Sequence, residues 1–250
     1  MEAHRYVFIL HDSTEIVHFM VRKWQEVSHS AIERQGYFAA ALSGGKTPVG
    51  FYRALSDLGQ TFPWDRTHIF LVDERYVPFS DQDSNYGMLR NELLNGIDMP
   101  RANIHPILTA EPTPEEAAKK YEEDLRLFFR EGPQRVPAFD MICLGIGEDG
   151  HTASLFPAAP SLKRSRQLAV PVILNESRHN RITLTLRVLN NARNVIFLAS
   201  GEKKAQAVKS VIELRDPSLP ASMVNPKKGL VFFVLDVQAG SRLSIKTNSR

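Results

Sequence analysis

Short apolar runs alternate with helical segments along almost the whole chain, and this alternation limits the possible folds more than any other sequence feature. Runs of the strand type occupy residues 6–10, 37–42, 68–72, 139–146, 181–186, 195–199 and 230–235. Helical patterns fill much of the sequence between them, including residues 49–58, residues 114–131 and a segment after Gly201. Such alternation predicts an α/β fold with a mainly parallel twisted sheet and helices on both faces.

The first helix shows the pattern well. Its apolar residues recur at helical spacing, and they are Ile16, Met20, Trp24, Val27 and Ala31. Gly36 follows as a C-cap. The strand-like run at residues 181–186 instead alternates apolar residues with threonine, which predicts a half-exposed strand. The 250 residues fit one large α/β domain or two small ones, and since no linker or internal repeat is visible, we expect a single domain over residues 1–250.

The charge pattern argues against a nucleic-acid partner. The chain has 31 basic and 28 acidic residues, a formal charge of +3, and the two signs are interspersed rather than grouped. The nearest basic cluster, residues 163–166, is short and typical of a solvated loop. A small anionic substrate explains the slight positive excess equally well.

Cys143 is the only cysteine, so an internal disulfide and a cysteine-based metal cluster are both excluded. Its apolar neighbours predict a buried side chain without a catalytic role. No run of about 18 apolar residues occurs, and the start of the chain does not resemble a signal peptide. The expectation is a cytoplasmic protein with no membrane partner, and no cofactor or metal is indicated.

Polar clusters follow four of the predicted strands. They are Ser43-Gly44-Gly45-Lys46-Thr47, Asp73-Glu74-Arg75, Asp149-Gly150-His151, and Gly201 with Lys203 and Lys204. In parallel sheets, ligands bind at the carboxyl ends of the strands, near the point where the strand order reverses. The four clusters are therefore expected to converge on one rim.

The loop at residues 43–47 is the best candidate for binding a phosphate. Its glycines let the backbone approach an anion, and the N-terminus of the following helix offers free N–H groups. Thr47 can cap that helix, and Pro48 suits its first turn. A nucleotide-binding P-loop would need glycine where the chain has Ala40. The alternative is a turn that needs glycine only for backbone shape, and a nearby Lys204 or Arg181 would favour the anion site.

Two chemistries compete for residues 139–157. Gly145, Gly147 and Gly150 form the pattern G-x-G-x-x-G, which is found in dinucleotide-binding proteins. That motif requires a long helix and an acidic residue about 20 positions later, but two prolines follow at positions 157 and 160 and position 170 is valine. The other interpretation is a catalytic histidine, His151, presented by a glycine turn and oriented by Asp149. A histidine that merely satisfies a loop hydrogen bond is the plain alternative.

Several of these motifs resemble those of a known protein family. The chain is similar to 6-phosphogluconolactonases and, more remotely, to glucosamine-6-phosphate deaminases. The matching segments are LSGGKTP (42–48), VDERYVP (72–78), DSNYG (83–87), LGIGEDGHTASLFP (144–157), RITLTL (181–186) and GEKKA (201–205). Their order and spacing cover nearly the whole chain. The resemblance implies the Rossmann-like three-layer fold of the deaminases and hydrolysis of a phosphosugar lactone, the second step of the oxidative pentose phosphate pathway, by a monomer or homodimer.

The resemblance also implies roles for individual residues. His151 would be the base, with Asp149 and Arg75 completing the catalytic set. The residues expected to bind the substrate are Ser43, Gly44, Gly45, Thr47, Asp73, Arg181 and Lys204. Lys46 departs from the family pattern, which commonly has Ser or Thr there, and Arg187 stands where Pro is usual.

Three other functions stay open at this stage. Deaminases resemble D-E-Y and H-I-A-F-N-E-P in the corresponding segments, whereas this chain has Arg75 and then Leu155 and Phe156 where the deaminase acid would lie. A non-catalytic sugar-phosphate sensor would be expected to have lost His151, which is present. An NAD-dependent oxidoreductase is the third possibility, and it predicts nicotinamide binding.

Overall fold

The computed structural model of the protein describes residues 3–130, 135–163, 166–175 and 178–244. The strands are β1 His4–Leu10, β2 Phe38–Leu42, β3 Thr67–Leu71, β4 Asp73–Arg75, β5 Ile104–His105, β6 Met141–Gly145, β7 Ala169–Val172, β8 Arg181–Leu184, β9 Asn194–Ala199 and β10 Leu230–Asp236. The α-helices are α1 Ser13–Gln35, α2 Val49–Ser56, α3 Asn85–Glu92, α4 Pro114–Phe129, α5 Leu186–Leu189, α6 Ala205–Ile212 and α7 Pro220–Met223. The last residue of the predicted helix 114–131 lies outside the described residues.

Seven strands form one sheet in the order β1-β10-β9-β6-β2-β3-β5, and every neighbouring pair is parallel. The prediction of a mainly parallel sheet is confirmed. Most of these strands are buried on both faces, which explains why they read as continuous apolar runs rather than as alternating ones.

Helices cover both faces of this sheet, as predicted. Trp24 of α1 meets Phe38 of β2 edge to face at 4.8 Å, and Phe128 of α4 meets Phe70 of β3 at 5.2 Å. Phe38 is paired with Thr67, three residues before Phe70, so the two phenylalanines point to opposite faces. The predicted apolar face of α1 is buried along its length, and the helix ends at Gly36 with φ +85°, as a left-handed C-cap should.

A second, smaller sheet has the order β4-β8-β7 and is antiparallel. It contains the segment for which we expected a half-exposed strand, and that expectation is wrong. Ile182, Thr183 and Leu184 are all buried. Thr183 is buried because its hydroxyl oxygen accepts the backbone N–H of Ser154, while Leu184 donates its N–H to the carbonyl of Val72. The middle of β8 is thus buried, while Arg75 and Arg181 at one end of the small sheet stay partly exposed.

The strand order reverses between β2 and β6. From β2 the chain proceeds outward through β3 and β5, whereas from β6 it proceeds the other way through β9 and β10. The loops that follow β2 and β6 therefore separate, and they leave a crevice at the carboxyl ends of the strands.

The start of α2 differs from the prediction. Thr47 does not cap the helix: Pro48 occupies the N-cap position in a helical conformation, and no side chain caps it. The N–H of Val49 is directed to the carbonyl of Lys46, so a tight turn leads straight into the helix and a capping hydroxyl is not needed. None of the helices in the described part of the chain has the length and apolar character needed to cross a membrane.

Candidate active site

A cavity of about 320 Å³ opens at the carboxyl ends of β2, β6 and β9. Every site residue predicted from the sequence lines it, with the exception of Asp149, which reaches the cavity through His151. Among the other members of the four polar clusters, Glu74, Gly150, Gly201 and Lys203 do not line the cavity. The small sheet contributes one wall, because β4 supplies Asp73 and Arg75 and β8 supplies Arg181.

The glycines after β6 shape a turn that carries the histidine. Gly147 donates its N–H to the carbonyl of His151 at 2.8 Å, and Gly150 has a φ of +77°. A Cβ atom on Gly147 would lie 2.0 Å from Nδ1 of His151, so a side chain there would displace the imidazole. Among the described residues that follow, the first helical turn is the short 3₁₀ segment Pro160–Lys163, which is not the long helix that a dinucleotide needs.

His151 and Asp149 form a close pair. The Nδ1 atom of His151 lies 2.5 Å from Oδ1 of Asp149, which also accepts the backbone N–H of His151 at 3.1 Å. Burial raises the pKa of Asp149, but these hydrogen bonds outweigh that effect and hold the pKa below its ordinary value of 3.8. An ionised Asp149 beside Nδ1 favours the imidazole tautomer with its proton on Nδ1 and its lone pair on Nε2. The Phe156 ring lies beside the imidazole, with 4.8 Å between centroids.

The loop after β2 is held rigidly at the reversal point. The Ser43 hydroxyl donates to the carbonyl of Cys143 at 2.7 Å, and the Ser43 carbonyl accepts from the Tyr52 hydroxyl at 2.6 Å. The hydrogen bond from Ser43 therefore joins the loop after β2 to strand β6. Burial raises the pKa of Cys143 to about 12, in keeping with the predicted inert thiol.

The two glycines of the same loop have different surroundings. Gly45 has a φ of +97° and open space around it, whereas a Cβ atom on Gly44 would lie 1.7 Å from Oδ1 of Asn85. Gly44 is thus required because α3 places the Asn85 amide directly against the loop. Gly45 is required by the backbone conformation.

Two arginines face each other across the small sheet. Arg75 of β4 and Arg181 of β8 are cross-strand partners. Both Nε atoms are buried and have no hydrogen-bond partner within the described ranges. Burial lowers the pKa of Arg181 below its usual range, and the positive charge of Arg75 lowers it further. Two adjacent cations with unused donors favour a bound anion.

Asp73 lies at the base of the cavity with little exposure. Its Oδ2 atom accepts the Ser154 hydroxyl at 2.6 Å, and its backbone carbonyl accepts from Nδ2 of Asn85 at 2.8 Å. Ser154 therefore fixes the carboxylate group of Asp73, and Asn85 fixes its backbone carbonyl.

Lys204 reaches the cavity from the turn after β9. Gly201 opens this turn with a φ of +89°, and its N–H donates to the Asp236 carboxylate at the end of β10. The Ser200 hydroxyl donates to the same carboxylate. The final strand of the sheet therefore anchors the turn that carries the lysine.

Comparison with known proteins shows the family to which the chain belongs. The family described as glucosamine-6-phosphate isomerases/6-phosphogluconolactonase matches residues 11–233. The chain belongs to this family. A 6-phosphogluconolactonase of Synechocystis is 42% identical over 85% of this chain and 88% of its own length. One from Thermotoga maritima is 33% identical over 91% of this chain and 97% of its own length.

Solved structures of the same family give a consistent result. The structure of a 6-phosphogluconolactonase from Trypanosoma brucei superposes with a TM-score of 0.84 at 29% identity. The match covers 97% of this chain and 100% of that one. A monomeric glucosamine-6-phosphate deaminase, at 20% identity and a TM-score of 0.79, shares the fold. The predicted deaminase-like fold is confirmed.

Sequence reasoning assigned no role to four residues that line or support the cavity. They are Tyr52, Glu74, Asn85 and Ser154. Glu74, Asn85 and Ser154 stand inside the segments that carried the resemblance, which was the available indication. Their partners lie on other strands, so no local pattern identified the contacts. Within the described ranges, no three His, Cys, Asp or Glu side chains are grouped so as to hold a metal ion.

Proposed function

We propose that the protein hydrolyses 6-phosphoglucono-δ-lactone to 6-phosphogluconate and so acts as a carboxylic ester hydrolase. The observation that carries this proposal is the pairing of His151 with an ionised Asp149 across one cavity from Arg75, Arg181 and Lys204. This arrangement joins a general base to an anion site. The family to which the chain belongs includes lactonases of this kind.

The histidine acts first as a base and then as an acid. Nε2 of His151 removes a proton from a water molecule, whose oxygen attacks the lactone carbonyl carbon C1. The tetrahedral intermediate collapses with cleavage of the bond between C1 and the ring oxygen, and the imidazolium returns its proton to that oxygen. Asp149 orients the ring and stabilises the imidazolium that forms.

The other residues of the site stabilise the developing charge and bind the substrate. Arg75, or a backbone N–H of the glycine turn, stabilises the oxyanion that develops at C1. The loop at residues 43–47 binds the phosphate together with Lys204, and Arg181 and Asp73 contact the substrate. Phosphate binding remote from C1 holds the ring in position for attack, which lowers the entropic part of the barrier.

Hydrolysis is favoured over amino-sugar deamination because of the residues after His151. Leu155 is fully buried and Phe156 lies against the imidazole, where a deaminase carries an acid. Deamination needs that acid for ring opening, whereas a lactone carbonyl needs only water and a base.

We also propose action in the cytoplasm, as a single domain and as a monomer or homodimer; the lone cysteine supports a reducing compartment.

The test is a coupled assay with freshly generated lactone. Wild-type protein should accelerate hydrolysis above the spontaneous rate, and His151→Ala should lower kcat by about 10²- to 10⁴-fold. His29→Ala is the matched control, since His29 is exposed on α1 and pairs only with Glu33 in the described structure. A wild-type rate equal to the spontaneous one contradicts the lactonase proposal. Near-native turnover by His151→Ala contradicts the base assignment alone.

A further inference from the structure

Glu74 is a fully buried carboxylate that does not face the cavity. It stands between Asp73 and Arg75, two residues that do. A buried carboxylate is costly unless hydrogen bonds stabilise it, so its partners indicate what it is for.

The Glu74 carboxylate accepts four hydrogen bonds, two on each oxygen. Oε1 accepts the backbone N–H groups of Arg75 and Asn85, each at 2.7 Å. Oε2 accepts the backbone N–H of Tyr86 at 2.7 Å and the Ser84 hydroxyl at 3.1 Å. One side chain therefore holds the backbone of a cavity arginine and the first turn of α3, whose free N–H groups and positive end favour a carboxylate.

The start of α3 in turn controls the phosphate loop. Asn85 is the first residue of this helix, its amide lies directly against Gly44, and its Nδ2 atom donates to the carbonyl of Asp73. A shift of α3 relative to β4 would move the Asn85 amide and, with it, the packing surface of Gly44. The contacts form a continuous path from Glu74 to both anion-binding parts of the cavity.

We infer that Glu74 is a positioning residue, which fixes Arg75 and Asn85 relative to the loop at residues 43–47 and thereby sets the affinity for the phosphorylated substrate. The inference rests on the proposed lactonase function. Glu74 does not touch the reacting atoms. Glu74 contacts only the backbone of Arg75, whose side chain is held by the carbonyl of Asp83, but it holds the first turn of α3, which packs on Gly44. Its loss should therefore weaken binding of the phosphate group more than it slows the chemical step at His151.

The experiment compares Glu74→Gln with wild-type protein at pH 7.5. Glutamine has the same shape but presents an NH₂ group to backbone donors, so it breaks contacts on one oxygen. We expect KM for the lactone and the dissociation constant for inorganic phosphate to rise roughly tenfold or more, and kcat to change less. Glu74→Asp, which keeps the charge, should recover part of the affinity.

Asp140→Asn is the matched control. Asp140 is also buried, and it accepts the backbone N–H of Ala39 and the Arg34 guanidinium at the opposite end of the sheet. This variant should lose thermal stability but keep wild-type KM and phosphate affinity. Ser84→Ala is a milder second variant in case Glu74→Gln does not fold, and it should raise the phosphate dissociation constant by a smaller factor.

The inference is overturned if Glu74→Gln folds and keeps the KM and phosphate affinity of the wild type. If Glu74→Gln does not fold, wild-type values of both constants in Ser84→Ala overturn it. An equal loss of affinity in Asp140→Asn would overturn it too, because the effect would then be general destabilisation. Phosphate binding is measured without turnover, so this outcome is independent of the lactonase assay. Absence of lactone hydrolysis by wild-type protein would refute the proposed function and leave the phosphate comparison valid.

Discussion

The Oδ1 atom of Asp149 binds both the ring and the backbone N–H of His151, at 2.5 Å from Nδ1 and 3.1 Å from the amide nitrogen. This double contact sets the position of the imidazole and the nitrogen that carries its proton. The side chain of Asp149 is about half exposed, at 52%, so solvent reaches the pair and water has access to the base.

Replacing Asp149 with alanine should impair turnover without impairing binding. The imidazole would lose its orientation and the charge that stabilises imidazolium, so we expect kcat to fall about 10- to 100-fold with KM nearly unchanged. Steady-state kinetics with fresh lactone measure both constants. Glu148→Ala is the control, since Glu148 is the exposed neighbouring acid and should behave as wild type. A large rise in KM for Asp149→Ala would instead assign Asp149 to substrate binding.

Gly44→Ala should damage the phosphate loop through one identifiable clash. The new methyl group would meet Oδ1 of Asn85, and the loop or α3 must move to accommodate it. We expect KM to rise by roughly tenfold. In an Asn85→Ala background the space is free, so the additional effect of Gly44→Ala should be smaller than in wild type. A double-mutant cycle on KM measures this coupling, and strictly additive effects would show that the two side chains do not compete for space.

Arg181→Met should stabilise the free protein and weaken its binding of anions. The substitution removes one of two adjacent positive charges and a buried, unpaired Nε atom. We expect Tm to rise by roughly 2 to 4 °C, corresponding to about 1 kcal/mol in a chain of this size. Inorganic phosphate should raise the Tm of wild type more than that of the variant. Thermal unfolding with and without phosphate gives both values. Exposed Arg22→Met should show neither change, and a lower Tm for Arg181→Met would indicate that the guanidinium stabilises the fold.

Glu74 should make the stability of the protein depend on pH. Burial, together with nearby Asp73, raises the pKa of Glu74 from 4.5 to about 7. The N–H groups of Tyr86, Asn85 and Arg75 lower this pKa, but they do not cancel the rise. Because the folded protein then binds this proton more tightly than the unfolded chain does, the contribution of Glu74 is greatest below pH 4.5. That contribution decreases as the pH rises to about 7, by an amount on the order of 3 kcal/mol.

Denaturant unfolding of wild type and Glu74→Gln across this pH range measures the effect. The difference in free energy of unfolding, wild type minus variant, should fall as the pH rises from 4.5 to 7 and then level off. The comparison cancels groups that titrate alike in both proteins. A difference that is flat across the range, or that rises, would contradict the raised pKa.

The main sheet was predictable because its strands are buried on both faces. Continuous apolar runs such as residues 37–42 and 195–199 have few other interpretations in a soluble α/β pattern, and their boundaries moved by only a residue or two. The strands that were missed lack an apolar run that is both long and free of proline. Strand β7 contains Pro171, which an edge strand tolerates, and β5 has only two residues.

Helix α3 was not predicted because its sequence, NYGMLRNE, has little apolar periodicity. Its stability comes from tertiary contacts at its first turn, where Ser84 and Glu74 accept backbone N–H groups. The small antiparallel sheet was missed for a similar reason: the pairing of β4 with β8 joins segments more than a hundred residues apart, and nothing local specifies that register.

The site itself was predictable as a set of loops but not as a set of contacts. The rule that ligands bind where parallel strands end predicts from the sequence that the four polar clusters lie together. The same rule gave no indication that the Ser43 hydroxyl would bond to Cys143, or that Arg75 would stand opposite Arg181. Those relationships depend on which strands are neighbours, and the sequence does not state that order.

The pairing of β1 with β10 has a consequence for synthesis in the cell. His4 aligns with Leu230 and Leu10 with Asp236, so among the described strands β1 pairs only with β10, which is synthesised more than 200 residues later. At ordinary rates of translation this delay is on the order of ten seconds or more. Throughout that time an apolar segment remains unpaired, and a nascent chain that stops before residue 230 never covers it. A chaperone that recognises extended apolar peptides would find its natural binding site there.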